Sequence, residues 1–139
     1  MPQDSGENEQ EGLQAWIRSQ LDAAAKELLA RGVVDSSLVE AKPAWAFPYQ
    51  LLIGKFRAQG EPREFKWFIC GDAPTDHVDS TAASTPREAA RHFAMKWQLH
   101  AARQAGDSSE ELGGRLADRA EALYELVDDA SLWEQTGGF

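Results

Sequence analysis

Apolar residues recur at three- and four-residue spacing through Leu13, Trp16, Ile17, Leu21, Ala24 and Leu28, with Gln14, Arg18, Asp22 and Lys26 between them. That spacing lines one side of a helix, predicted over residues 11–31, and Gly32 is placed to stop it at the C′ position. Beyond Gly32 the period breaks. Asp35-Ser36-Ser37 is turn chemistry, and Pro43 bars Lys42 from helical dihedrals. Tyr49–Phe56 and Phe65–Cys70 are short runs rich in β-branched and aromatic residues, separated by Gln59-Gly60-Glu61-Pro62-Arg63. They predict an antiparallel hairpin with a longer loop. Pro48 stands at the entrance of the first run, where a missing N–H is tolerated.

Gly71-Asp72-Ala73-Pro74-Thr75-Asp76-His77 follows the hairpin with residues that serve a turn: Asp bonds nearby backbone, Pro fixes φ, Gly permits positive φ. Three signals then agree on a helix start. Thr85 suits the N-cap, Pro86 the first helical position, and Glu88 the return bond of a capping box. Ala90, Phe93, Ala94, Trp97 and Ala101 form its apolar stripe, and Gly106 ends it. The third helix is predicted over residues 115–130, lined by Leu116, Ala120, Leu123 and Val127. Gly113-Gly114 is read as a turn before it, because each Gly in a helix costs about 1 kcal/mol. Leu132-Trp133 is expected to fold back onto the core.

The elements describe an α+β domain over residues 11–135, preceded by an acidic tail over residues 1–10. Its order is an N-terminal helix, an antiparallel hairpin, and two C-terminal helices packed on one sheet face. Two strands alone are marginal, so the hairpin must lean on the helices or gain a third strand, for which residues 33–40 or 76–80 are the candidates. If helices cover only one face, Trp45 and Trp67 form an aromatic patch on the other, a candidate interaction surface.

Composition narrows the class. The chain has 139 residues, is 42% hydrophobic and carries one Cys, which excludes a disulfide scaffold and a multi-Cys metal framework. No stretch approaches the length of a membrane span, and the N-terminus lacks the basic and apolar regions of a secretory signal. A cytoplasmic protein is the expectation. The net charge of −9 argues against a phosphate backbone as partner. It is unevenly spread: residues 1–40 are net −5, residues 107–139 net −7, and residues 41–106 net +3. A small anion is therefore less excluded than a polyanion.

Pro43-Ala44-Trp45, then Trp67-Phe68-Ile69-Cys70-Gly71-Asp72-Ala73-Pro74-Thr75-Asp76, Thr85-Pro86-Arg87-Glu88-Ala89 and Arg119-Ala120-Glu121-Ala122-Leu123 resemble a bacterial family of unknown function. Its members have a tryptophan-rich strand running into Gly-Asp-Leu-Pro-Thr-Asp. The resemblance implies a fold unit and no activity. The family pattern carries an aromatic such as Tyr where this chain has His77, which counts against a catalytic His77.

Asp72, Asp76 and His77, with Asp79 nearby, are the densest polar cluster and the candidate catalytic residues. Their spacing matches no EF-hand, and the same residue types build tight turns, which is the favoured reading. Cys70 lacks any nucleophile signature and reads as a small buried hydrophobe. His92, Lys96, His100 and Arg103 share one face of the second helix. With Arg87 and Arg91, His92 offers a candidate anion site at that helix's N-terminal end, against the simpler reading of a solvated face. No metal site and no cofactor are expected. The leading reading is a non-enzymatic protein-interaction domain that uses the aromatic hairpin or its acidic helices. The alternative is a small-ligand or anion-binding domain, or a small enzyme, centred on Gly71–His77. The expected partner is a protein rather than nucleic acid or membrane, and the chain itself a monomer or weak homodimer.

Overall fold

The stripe from Leu13 to Leu28 does form a helix, α1, which spans Asp4–Ala30. In the computed structural model, residues 4–32, 38–58, 65–104 and 110–134 are described. The helix begins earlier than the stripe, so residues 4–10 of the anticipated tail are helical. Gly32 closes the helix at φ +74°, with its N–H bonded to the Leu29 carbonyl. Only a residue without a Cβ takes that turn at no steric cost.

The hairpin is the centre of a larger sheet. Strands β1 (Leu38–Phe47), β2 (Leu51–Ala58), β3 (Lys66–Gly71) and β4 (Asp76–Asp79) form a four-stranded antiparallel sheet in sequence order. Both candidate regions contribute a strand, one to each edge. β1 also runs through Pro43, where turn chemistry had concealed it. The register shifts between Pro43 and Trp45, so the proline sits beside a bulge on an edge strand. β1 and β2 are joined by a turn in which Tyr49 takes φ +63°. Its ring stays half exposed against Trp16, 5.7 Å between centroids.

Helix α2 spans Pro86–Gln104 and α3 spans Glu110–Asp128. The third helix thus runs through Gly113-Gly114, contrary to the expected turn. Ala120, Leu123 and Val127 are buried in the same cluster as the α2 stripe. Burying a Leu or Val side chain is worth about 1.5–3 kcal/mol, enough to carry two unfavourable residues about two turns upstream. The N-terminus of α2 is capped nearly as its sequence predicts. Thr85 Oγ1 accepts from the Glu88 N–H, but Glu88 reaches back to the Ser84 N–H and hydroxyl, one residue beyond the cap.

Helices α2 and α3 pack on one sheet face over Trp45, Ile53, Trp67, Ile69 and Val78. Helix α1 covers the opposite face, where Ile17, Ala24 and Leu28 meet Leu52, Phe56, Phe68 and Cys70. With both faces covered, the sheet exposes no aromatic patch among the described residues. Trp45 is 2% and Trp67 1% exposed, which corrects their reading as an interaction surface. Each indole also has a partner: Trp45 Nε1 donates to the Leu132 carbonyl and Trp67 Nε1 to the Ala83 carbonyl, both at 3.0 Å. Trp133 folds back as anticipated and stacks on Trp45 at 3.9 Å.

Candidate functional site

Alternation along the short strand β4 sends its polar residues to different faces. Asp76 lies opposite Ile69 and turns toward α2. His77 lies opposite Phe68 and turns toward the α1 side, its ring edge-on to Phe56. The cluster that looks dense in sequence is therefore split by the sheet, and Asp76 and His77 do not form an acid–base pair.

Asp76 is committed to structure. Oδ1 accepts from the Lys96 ammonium at 2.7 Å and from the His77 N–H at 2.8 Å, and Oδ2 accepts from Trp97 Nε1 at 2.9 Å. Asp72 is held by Arg119, whose guanidinium reaches both its carboxylate and its carbonyl at 3.0 Å. Arg31, at the end of α1, donates to the Thr75 carbonyl at 2.6 Å. Cations from three helices thus clamp the loop between β3 and β4. Gly71 enters that loop at φ +106°, where a Cβ would collide with the Gln50 carbonyl, and the Asp72 N–H bonds the same oxygen at 2.6 Å.

His77 Nδ1 is shielded from solvent and has no hydrogen-bond partner among the described residues. Burial, then the nearby Lys96 ammonium, hold its imidazole below the usual value of 6.5. The unfolded chain therefore takes up a proton near 6.5 that the folded chain refuses, so stability is full above that pH and declines as pH falls below it. Urea midpoints measured from about pH 8 to about pH 5 are expected to drop less steeply for His77→Gln than for the wild type. Equal slopes would show that His77 is protonated alike in both states. Burial likewise pushes the Cys70 thiol up to about 12, which keeps it an unreactive member of the core.

The anion site anticipated at the start of α2 does not assemble. Arg87 turns away and donates from Nε to the Val127 carbonyl at 2.8 Å, closing the end of α3, while Arg91 is exposed beside Glu88. His92 instead joins a stripe that continues through Met95, Lys96, Leu99, His100 and Arg103. It lines a hollow of about 560 Å³ between α2, the end of α1 and the Pro74–Asp76 segment. A second hollow of about 530 Å³ is lined by Asp72, Arg115 and Arg119, and the two meet at Pro74, His100 and Leu116. Together they form one open groove on both sides of the clamped loop.

Among the predicted site residues, the structure brings together Asp72, Asp76 and His92 at this groove. It sends His77 to the other sheet face and Arg87, Arg91, Trp45 and Trp67 elsewhere. Sequence reasoning found the α2 face, but missed Arg31, Arg115 and Arg119, which arrive from distant helices. Among the described residues, no group of three or more His, Cys, Asp or Glu side chains is placed to hold a metal ion, and no helix is long and apolar enough to cross a membrane.

The sequence profile of a family described as a domain of unknown function (DUF4826) matches residues 9–133. The chain belongs to this family. No curated protein and no solved structure matches it. The DUF4826 match spans α1 from residue 9 onward, the sheet, the clamped loop and both C-terminal helices, so the groove lies within the family's own boundaries.

Proposed function

We propose that this DUF4826 chain is a protein-interaction domain and not a catalyst, and that it docks its partner in the groove along α2. The observation that carries this is the pair Met95 and Leu99. They are 44% and 53% exposed, one helical turn apart, in a concave surface otherwise rimmed by charge. Paired apolar side chains left in solvent within a groove are what a partner's anchors require. The acid–base alternative is weakened because the carboxylates it needs are occupied, Asp76 by three donors and Asp72 by Arg119. A cytoplasmic setting fits a chain whose one cysteine is buried as a free thiol.

A photo-crosslinking residue placed at Leu99 in the native host tests this. A discrete adduct is expected at Leu99, absent when the same residue replaces the exposed Ala122 of α3, and lost on adding Met95→Glu. Circular dichroism of Met95→Glu should show an unchanged melting transition. The same products from both positions, or an adduct indifferent to Met95→Glu, would remove the docking function.

A further inference from the structure

Resting on the docking function proposed for α2, we propose that the partner is a second copy of this chain, and that two α2 helices pack antiparallel about a twofold axis.

The spacing of the exposed residues carries this. At 3.6 residues per turn, Glu88, His92, Met95, Leu99 and Arg103 all fall within about 40° of Leu99 around the helix axis. The buried Ala90, Phe93, Ala94, Trp97 and Ala101 lie on the opposite side. The outward stripe is therefore ordered along the helix: Glu88 in the first turn, Met95 and Leu99 in the middle, Arg103 in the last turn. An acid at the start and a base at the end suit the dipole of any helix. The dipole does not require them to share the angular position of the exposed apolar pair, and here they do.

A twofold contact needs a surface that complements itself when reversed. With the axis crossing α2 between Met95 and Lys96, Glu88 of each copy comes opposite the partner's Arg103. Leu99 comes opposite the partner's His92. Met95 meets the aliphatic stem of the partner's Lys96, whose ammonium is already held by Asp76. One alignment thus forms two pairs of opposite charge around an apolar centre. A parallel alignment would instead set Glu88 on Glu88 and Arg103 on Arg103. A partner of different sequence would have to carry the same order of acid, apolar pair and base in reverse, whereas a second copy has it by symmetry.

Both charged groups are available. Glu88 Oε2 accepts from the Ser84 N–H and hydroxyl, and Oε1 has no hydrogen-bond partner among the described residues. Arg103 is exposed and makes no ion pair among them. From Glu88 to Arg103 the stripe is about 22 Å long. A single helix pair of that length is a small contact beside the about 1,200–2,000 Å² of stable interfaces, so the dimer is expected to be reversible and to dissociate at micromolar concentrations or above.

Sedimentation equilibrium of the full chain, loaded from micromolar to near-millimolar concentration, tests the dimer. The weight-average mass is expected to rise from monomer toward dimer, and less steeply in high salt. Leu99→Asp should abolish the rise. Arg103→Glu and Glu88→Lys should each weaken association about tenfold, because each turns two attractive pairs into repulsive ones. Mixing the two single variants should restore it, since every contact between them again joins opposite charges. Circular dichroism should show all three variants folded, and should Glu88→Lys lose its cap and unfold, Arg103→Glu and Leu99→Asp still decide. A wild type that stays monomeric, a dimer indifferent to Leu99→Asp or Arg103→Glu, or a mixture of folded variants that associates no better than either alone would overturn the antiparallel pair. The Leu99 crosslink separates this failure from that of docking itself. An adduct with the mass of two chains supports the second copy. An adduct of another mass overturns it and leaves the docking function standing, and no adduct from a monomeric chain removes both.

Discussion

Replacing Trp67 with alanine is expected to lower the free energy of unfolding by about 3–5 kcal/mol. The indole sits on β3 with 1% of its surface exposed, beneath α2. Its Nε1–H is bonded to the Ala83 carbonyl in the segment leading into that helix. Truncation opens a cavity the size of a bicyclic ring and strips the carbonyl of its donor, and the two losses act together. Since small domains hold only about 5–15 kcal/mol in total, a substantial unfolded fraction is expected at 37 °C. Urea denaturation followed by far-UV circular dichroism measures the loss. Trp67→Phe should recover part of it by refilling volume without restoring the hydrogen bond. A change below about 1 kcal/mol, the ordinary result for a surface position, would mean that Trp67 is available to a partner after all.

The second large effect is expected at Asp76. Alanine there removes the acceptor for the Trp97 indole and the His77 amide and leaves the Lys96 ammonium without its carboxylate. A buried donor stripped of its acceptor costs about 1–3 kcal/mol, so the loss in Asp76→Ala is expected near the upper end, about 2–3 kcal/mol. Lys96 adds little, because its side chain is 44% exposed and water replaces the lost partner. Asp76→Asn keeps an oxygen for the indole and gives up only the charge, so it should cost about half as much. The comparison separates two roles for one residue. A structural acceptor grades with hydrogen-bonding capacity, Asp above Asn above Ala, in chemical denaturation. A catalytic acid or base would leave the three proteins similarly stable.

How far the fold was legible depends on which interactions each element needed. The stripe from Leu13 to Leu28, the stop at Gly32 and the Thr85–Glu88 start rest on spacing within one or two turns, and the structure has them all in place. β1 was hidden because Pro43 and the turn residues before it mask the alternation of an edge strand, whose bulge absorbs the proline. β4 is four residues long, too short to show a period. The passage of α3 through Gly113-Gly114 runs against local propensity and is carried by packing of the downstream stripe. At the site, the α2 stripe was visible as spacing. The clamp on the Gly71–Asp76 loop was not, since Arg31 and Arg119 reach it from 44 and 47 residues away in the chain.

The uneven charge was legible too, and the fold gives it a shape. The net-positive middle of the chain supplies Lys96 and Arg103, and each acidic flank contributes exceptions, Arg31 from one and Arg115 and Arg119 from the other, so that cations collect at one groove. By itself the sequence determined the helices, the central hairpin and a mixed α+β class, because amphipathic spacing and capping are read over a few residues. The tertiary structure alone decided that both sheet faces are covered, that Trp45 and Trp67 are core, and that Asp76 and His77 face apart. Those outcomes turn on which distant surface covers a side chain and on which side of a strand it falls, and neither is encoded within any short window of the chain.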